Sequence, residues 1–491
     1  MGAVTALALL IPAIVAALVA IFGWRPFTAW LAPVSGLVII GVGVVLAVHV
    51  LDVGPLAAFG GQLRVDALSA LMIILIGAVA TITTTYAVAY LRTELATGAT
   101  TPKRARIYGV LVQLTIAAML VVVTADNLGV VWVAVETTTV ATVLLVGHRR
   151  DRNSVEASWK YLVLGSIGIA TALMGTVLVY FVSRHSGGDP SNALNWSSLV
   201  ERAPRLDPDA LRVSIGLVVL GYGTKAGLAP VHSWLPDVYS QAPAPVAALM
   251  AGVVSAMSMY ALLRFKVVAD LALGAGFVRS LLVAAALFSL VAAASLMVTQ
   301  RDYKRLLAYS SVEHMGLIAL AAAIGSPLAM SAALLHMIGN GLAKSVAFSA
   351  TGEILFLTGT TRIDGVRGLL RRQPFVGGVF ALSLVALLGL PPFSLLASEV
   401  AIVRAGLSEG LGWVIAIAIT VMLVIFTAVV VHALDMLTGG EVPPVSAPDV
   451  HITPLTGRAP FVVGLVAAAA IGVSIWPIER LLHAAALVVA R

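Results

Sequence analysis

Apolar residues run through this chain in long blocks, separated at intervals by short polar or proline-rich stretches. Blocks such as 111–123, 281–298 and 461–475 carry no charged residue at all. About 20 apolar residues in a helix cross the hydrocarbon of a bilayer. In lipid only helices and closed barrels satisfy the backbone, and no ten-residue alternation of a barrel strand is present. The pattern therefore predicts an all-α, polytopic membrane bundle of about fourteen transmembrane helices. They are expected at 4–22, 30–51, 66–91, 107–124, 128–147, 160–183, 211–229, 243–266, 277–299, 306–324, 328–357, 374–407, 411–437 and 459–480. The blocks at 328–357 and 374–407 are too long for one straight crossing, so breaks or tilts are expected there.

The longest polar segments, 183–209 and 439–460, are rich in Pro, Gly and Asp and read as connecting loops. The whole chain, 1–491, then forms a single membrane domain. The first block lacks a basic n-region and a cleavage site before Gly23, so it reads as a span and not as a signal peptide. One alternate set of loops holds most of the basic residues, among them Lys103, Arg104, Arg106, Arg149, Arg150, Arg152, Arg301, Lys304 and Arg371. The other set holds fewer, among them Arg184, Arg202, Arg205, Arg264 and Lys266. By the positive-inside rule the first set is cytoplasmic and both termini face outward across the cell's inner membrane.

Composition sharpens this picture. The chain is 60% hydrophobic and 11% charged, against about 25% charged for soluble domains. It has no cysteine, which removes disulfides, iron–sulfur clusters and thiolate metal sites from this polypeptide. The nine histidines are scattered without a metal-ligand spacing, so neither metal nor cofactor is expected, and any redox chemistry belongs to another subunit. The net charge of +7 reflects loop residues and is not a nucleic-acid signal.

Charges inside the spans are the informative ones, since each costs about 2.5–3.5 kcal/mol to place there. Glu136, Lys225, Lys344 and Glu399 all fall within apolar blocks. His336, Asn340 and Lys344 follow at i, i+4 and i+8, on one helix face, over about 12 Å of axis. Protonatable groups so spaced, with water between, suit a proton relay. A carboxylate such as Glu136 moving toward or away from Lys225 would change the lysine's hold on its proton.

Pro230 and Pro236 interrupt the chain just after Lys225, and Pro391 and Pro392 do so just before Glu399. Proline removes a backbone donor and clashes with the preceding turn, so two broken helices are expected. They fall five spans apart, which suggests two inverted five-helix repeats, over 107–266 and 277–437.

Each charge also has a plainer reading, as a structural ion pair between helices. His148, His432 and His451 read as loop or interface residues. Glu313 and His314, with Asp302, Lys304 and Arg305, lie near a span end and suit a cap or salt bridge as well as a relay. His232 and Asp237 sit in a polar turn and fit either account.

Several segments resemble a known family: the antiporter-like proton-conducting membrane subunits of respiratory complex I, Mrp antiporters and group 4 hydrogenases. The likeness runs from about Tyr108 to Asp435. It is carried by the stretch from Lys225 through Pro230, His232, Trp234 and Pro236 to Asp237, by Gln241-Ala242-Pro243, by Asp302 to Ser311, and by Leu390-Pro391-Pro392-Phe393 with Glu399. Ser310 to Gly316, with Glu313 and His314, is most similar to the hydrogenase and formate hydrogenlyase branch. The resemblance implies fourteen helices with two inverted repeats. It matches Glu136 to the fifth-helix glutamate, Lys225 to the broken-helix lysine, Lys344 to the central lysine and Glu399 to the residue on the second broken helix.

Two positions depart from that pattern. Ala256 stands where many relatives carry a lysine, with Ser255 and Ser258 beside it to hold bridging waters. Asn340 stands where a second histidine often occurs.

The expected function is a proton-translocating membrane subunit of a multisubunit oxidoreductase, hydrogenase-like or NADH dehydrogenase-like. Its partners would be other membrane subunits, a peripheral redox arm and the bilayer, with sodium as the alternative ion to protons. The rival readings are a cation/proton antiporter subunit and a non-conducting scaffold that anchors a peripheral arm. No nucleophile triad, metal site or phosphate loop points to an active site of its own.

Overall fold

A computed structural model of the protein describes residues 1–440 and 455–490. It opens with α1 (Gly2–Phe22) and α2 (Pro26–Val53), whose Pro26 sits in the first turn, where a missing N–H costs nothing. A small antiparallel hairpin of β1 (Leu56–Ala58) and β2 (Leu63–Val65), with Leu56 opposite Val65, leads to α3 (Ala67–Ala96). Next come α4 (Pro102–Thr124), α5 (Leu128–Val146) and α6 (Arg152–His185). The side chains of Thr101, Asn127 and Asp151 accept the first free backbone N–H groups of these three.

The polar segment after α6 is more ordered than the expected open loop. It contains α7 (Trp196–Arg202), held to the start of α5 by Trp196 N donating to Asp126 O at 2.7 Å and Ser197 Oγ donating to the Asp126 carboxylate at 2.6 Å. The chain continues through α8 (Pro208–Ala226), α9 (Trp234–Gln241), α10 (Ala244–Leu249) and α11 (Ser255–Leu273). A π-turn at Met250–Val254 joins α10 and α11 into one wholly buried crossing. Then follow α12 (Ala275–Val298), α13 (Tyr303–Ile324), α14 (Pro327–Thr358) and the short α15 (Leu369–Arg372). The last elements are α16 (Pro374–Leu387), α17 (Ser394–Ser408), α18 (Gly412–Thr438), α19 (Leu455–Val473) and α20 (Trp476–Val489).

Ten helices among the described residues are individually long and apolar enough to cross a membrane, and the protein is a multi-pass membrane protein. The other four expected crossings fall on α8, α14, the α16–α17 pair and α19. Three of these carry Lys225, Lys344 and Glu399.

Several expectations are corrected. Of the break or tilt expected for the block at 328–357, the break does not occur: it is one unbroken helix of 32 residues, because no proline follows Pro327 to interrupt its hydrogen-bond ladder. The block at 374–407 is broken, as expected, between Leu387 and Ser394. The last expected crossing, 459–480, ends at Val473, and the chain bends by 77° into α20, whose first turn holds Pro477. α19 already starts at Leu455, which shortens the expected loop 439–460; residues 441–454, with His451, lie outside the described residues. Arg264 and Lys266 are buried within α11 and Lys304 within α13, so none of them is a loop charge.

The core is built from α3, α10–α11, α13 and α14, while α1, α6, α12 and α18 turn Leu, Val and Phe faces outward. Helices in lipid gain little from burying apolar surface and associate by close backbone approach at small residues. Gly36 of α2 lies where a Cβ would come within 2.4 Å of the Thr81 hydroxyl of α3. Gly221 of α8 would meet the Ala172 nitrogen of α6 at 2.4 Å. Across the centre, a Cβ on Gly341 of α14 would sit 2.8 Å from the Gly252 carbonyl in the π-turn. The two central crossings thus touch backbone to backbone.

Candidate functional site

Lys225 lies in the last turn of α8, which stops at Gly227 (φ 90°), a left-handed geometry that suits glycine. The break that follows exposes backbone groups inside the bundle, and Ser289 Oγ of α12 accepts the Ala229 N–H at 2.9 Å. Pro230 lies within this break. Pro236, in contrast, stands in the first turn of α9 and starts that helix without interrupting one. The second break holds Gly389 at φ 63°, followed by Pro391 and Pro392. There the Glu399 carboxylate rests on the glycine, for a Cβ on Gly389 would fall 2.3 Å from Glu399 Oε2.

Three lysines are almost completely buried: Lys225 and Lys304 at 1% exposure and Lys344 at 0%. Among the described residues, no carboxylate forms an ion pair with any of them. Lys225 Nζ donates to the Tyr161 hydroxyl and lies 4.5 Å from the centre of that ring and 6.0 Å from that of Trp234. Tyr161 stacks on Trp234 at 4.7 Å and pairs with Thr142 Oγ1 at 3.0 Å, which fixes the hydroxyl that Lys225 meets. Lys304 Nζ donates to the Ser240 carbonyl at 3.3 Å. Lys344 Nζ donates to the Leu307 carbonyl at 2.8 Å and to Ser310 Oγ.

The contrast with the structural ion pairs is sharp. Arg264 forms a two-pronged pair with Asp66 at 2.7 and 2.8 Å, backed by Tyr260 and Ser69, and Lys266 pairs with Asp270 one turn along α11. The plainer reading of buried charge as helix glue holds for these two pairs and not for the three lysines.

Glu136 of α5 is half-buried, with Oε2 making no hydrogen bond. Asp237 is drawn to the edge, where it pairs with Lys160 at 2.9 Å and Arg305 at 2.6 Å, tying α6, α9 and α13 together. His232 is half-buried in the first break, and its Nδ1 has no hydrogen-bond partner.

The stripe on α14 does not connect along its own helix. His336 instead joins His314 of α13, Nε2 to Nδ1 at 3.0 Å, and Ser398 of α17, Nδ1 to Oγ at 2.9 Å, while Asn340 Oδ1 is unpartnered. From Lys344 the polar line steps to Ser310 and then to Glu313 one turn on. A void of about 10 Å³, at the lower limit for one water molecule, is lined by Ser310 and Glu313. Glu313 also borders a cavity of about 340 Å³ that Glu399 and Arg404 line from the other side.

Sequence reasoning did not single out the aromatic and hydroxyl groups that pack between the surroundings of the two lysines. Tyr239 of α9 packs edge-on to Trp234 at 6.2 Å and to Phe348 of α14 at 5.6 Å, and Lys344 lies 6.0 Å from the Phe348 ring centre. Its hydroxyl meets Ser255 Oγ at 2.8 Å, beside Ala256, while Ser258 Oγ is buried and unpartnered. Also missed was Glu353, buried on α14 in phase with Ser349 and Ser345. The signal was present: a glutamate inside an apolar block. Lys304 was read as a residue of a span end, suited to a cap or salt bridge as well as a relay, and its near-complete burial was not foreseen.

The model of the NADH:quinone oxidoreductase/Mrp antiporter transmembrane family matches residues 125–427. The chain belongs to this family. Its curated relatives agree: a hydrogenase-4 component F homolog of Methylacidiphilum infernorum is 38% identical over 343 residues, 69% of this chain and 71% of the relative. An NADH-quinone oxidoreductase subunit N of Desulforudis audaxviator is 31% identical over 379 residues, 76% and 71% of the two chains. Among solved structures, a chain of the archaeal membrane-bound sulfane sulfur reductase superposes with a TM-score of 0.87 at 24% identity, covering 99% of this chain and 98% of the other. A chain of the Mrp complex from Dietzia sp. gives 0.86 at 21%, covering 100% and 98%. The family's fold therefore extends over the whole described bundle, beyond the matched core.

Proposed function

We propose that this protein is a proton-translocating membrane subunit of a multisubunit oxidoreductase complex of the hydrogenase or NADH dehydrogenase type. It works beside other membrane subunits and a peripheral redox arm, and the chain supplies no active site of its own. One observation carries the reading: three buried lysines are each held by neutral oxygens and, among the described residues, none by a carboxylate, with Lys225 at the end of the first broken helix. Such an amine can release a proton without leaving an ion-pair partner charged and unpaired in a low-dielectric interior.

In this reading Lys225 holds a proton on Tyr161, and Glu136 tunes it from a distance. Tyr239 and Ser255 pass the proton across the middle, where Ala256 offers no ionisable group. Lys344, Ser310 and Glu313 carry it to Glu399, with His314 and His336 alongside. Glu353, Ser349 and Ser345 approach Lys344 from the other end of α14, and Lys304 lies on that same side. The two breaks, five crossings apart, support two inverted repeats over 107–266 and 277–437 within a single membrane domain. The loop charges support an inner-membrane orientation with both termini outward.

The test is proton movement by the assembled complex in vesicles, after tagging the chain and identifying co-purifying subunits together with nickel and iron. Lys225→Ala and Glu136→Ala should each abolish most of the proton signal while the redox partners still co-purify. Unchanged proton movement in both variants would leave the scaffold reading, and only metal-free membrane partners would favour the antiporter.

A further inference from the structure

The ends of α4, α5 and α6 enclose a lateral groove of about 520 Å³, within the range of small-molecule sites. Its lower walls are apolar: Ile107, Val143, Leu144, Val155 and Leu162. Its rim is not, for Arg104 enters from α4, and Arg150 and His148 from the turn between α5 and α6. Trp159, 62% exposed on α6, stands at the same edge.

Two further observations single this groove out. Neither Arg104 nor Arg150 forms an ion pair among the described residues. The nearby acids are engaged elsewhere: Glu94 with Arg149 and His148, Glu156 with Lys160, and Asp151 in capping α6. Arg150 also adopts φ 58°, a left-handed backbone that residues other than glycine seldom take. Its side chain lines the groove beside that of Arg104.

The geometry points to a binding site for an anionic phospholipid, its phosphate between Arg104 and Arg150 and an acyl chain along the apolar walls. The charge pattern selects this occupant. A slot with unpaired cations at one end and mostly apolar side chains below complements an amphipathic anion, and basic pockets between transmembrane helices take such head groups. Trp159 fits the same depth, since indole rings collect at the head-group level. The site does not depend on whether the chain conducts protons.

The test uses the intact complex in detergent, titrated with phosphatidylglycerol or phosphatidylcholine and read by native mass spectrometry. The unaltered complex should retain phosphatidylglycerol in preference. Arg104→Gln with Arg150→Gln should reduce that preference by about tenfold or more. Arg205→Gln with Arg212→Gln, distant in the chain and outside the groove, should leave it intact. An unchanged preference in the first variant overturns the site. The chain has no cysteine, so Leu144→Cys provides a single attachment point for a photo-crosslinker. Crosslinks to phosphatidylglycerol support the assignment, and crosslinks only to a neighbouring membrane subunit overturn it.

Discussion

Tyr239 and Ser255 share a hydrogen bond of 2.8 Å at the centre of the bundle, on the line between Lys225 and Lys344. Tyr239 touches both sides at once, through Trp234 toward Lys225 and through Phe348 toward Lys344. The pair occupies the stretch where Ala256 provides no ionisable side chain. In the proposed path Tyr239 and Ser255 are the hydroxyls that stand in this stretch.

Tyr239→Phe keeps the ring packing and removes only the hydroxyl. The expected result is a fully assembled complex whose proton movement falls by about tenfold or more. A pH-sensitive dye in vesicles reads this directly, and a normal signal would remove Tyr239 from the path.

Lys344→Arg separates charge from proton release. Arginine stays protonated at any working pH, whereas a buried lysine can exchange its proton. Lys344→Arg should therefore be as inactive in proton movement as Lys344→Met. Recovery of activity with arginine would mean that a fixed positive charge is all the position needs.

Gly389 has both a left-handed backbone and the Glu399 carboxylate where its Cβ would stand. Gly389→Ala should lower stability by about 1–3 kcal/mol and weaken proton movement. Adding Glu399→Ala should restore part of the thermal stability, because the clash is gone, but not the proton movement. A melting temperature unaffected by Gly389→Ala would show that the break relaxes around the new methyl group.

Asp66 and Arg264 are expected to behave differently from the lysines. Asp66→Asn leaves a buried guanidinium without its partner, a loss of about 3–5 kcal/mol for such pairs. The yield of assembled complex should fall, and the surviving complex should move protons normally. A melting temperature that did not shift would mean Tyr260 and Ser69 suffice to hold Arg264.

Much of this was readable in the chain. Apolar blocks located the crossings, and Pro230 and the Pro391–Pro392 pair located both breaks, because proline acts on its own helix. Lys225, Lys344 and Glu399 stood out since charge in an apolar block is conspicuous whatever surrounds it. What stayed hidden depended on neighbours distant in sequence. Arg264 looked like a loop residue because its partner, Asp66, lies 198 positions away. His336 looked tied to Asn340 and Lys344 by spacing, yet its bonds run to His314 and Ser398 on other helices. Tyr161 and Tyr239 are ordinary aromatic residues in sequence and acquire meaning only by packing beside a buried amine.

Between the two interrupted crossings runs α14, 32 residues without a break. It works as a ruler. Whatever the broken segments do, His336, Lys344 and Glu353 keep their spacing, as marks on a rigid scale held at midpoint by the Gly252–Gly341 contact. Movement in the bundle must then change which groups meet the scale and leave the scale itself unaltered. A side chain that reorients on α8, α13 or α17 opens or closes one gap at a time. Conduction and its control can thus reside in separate helices of one chain.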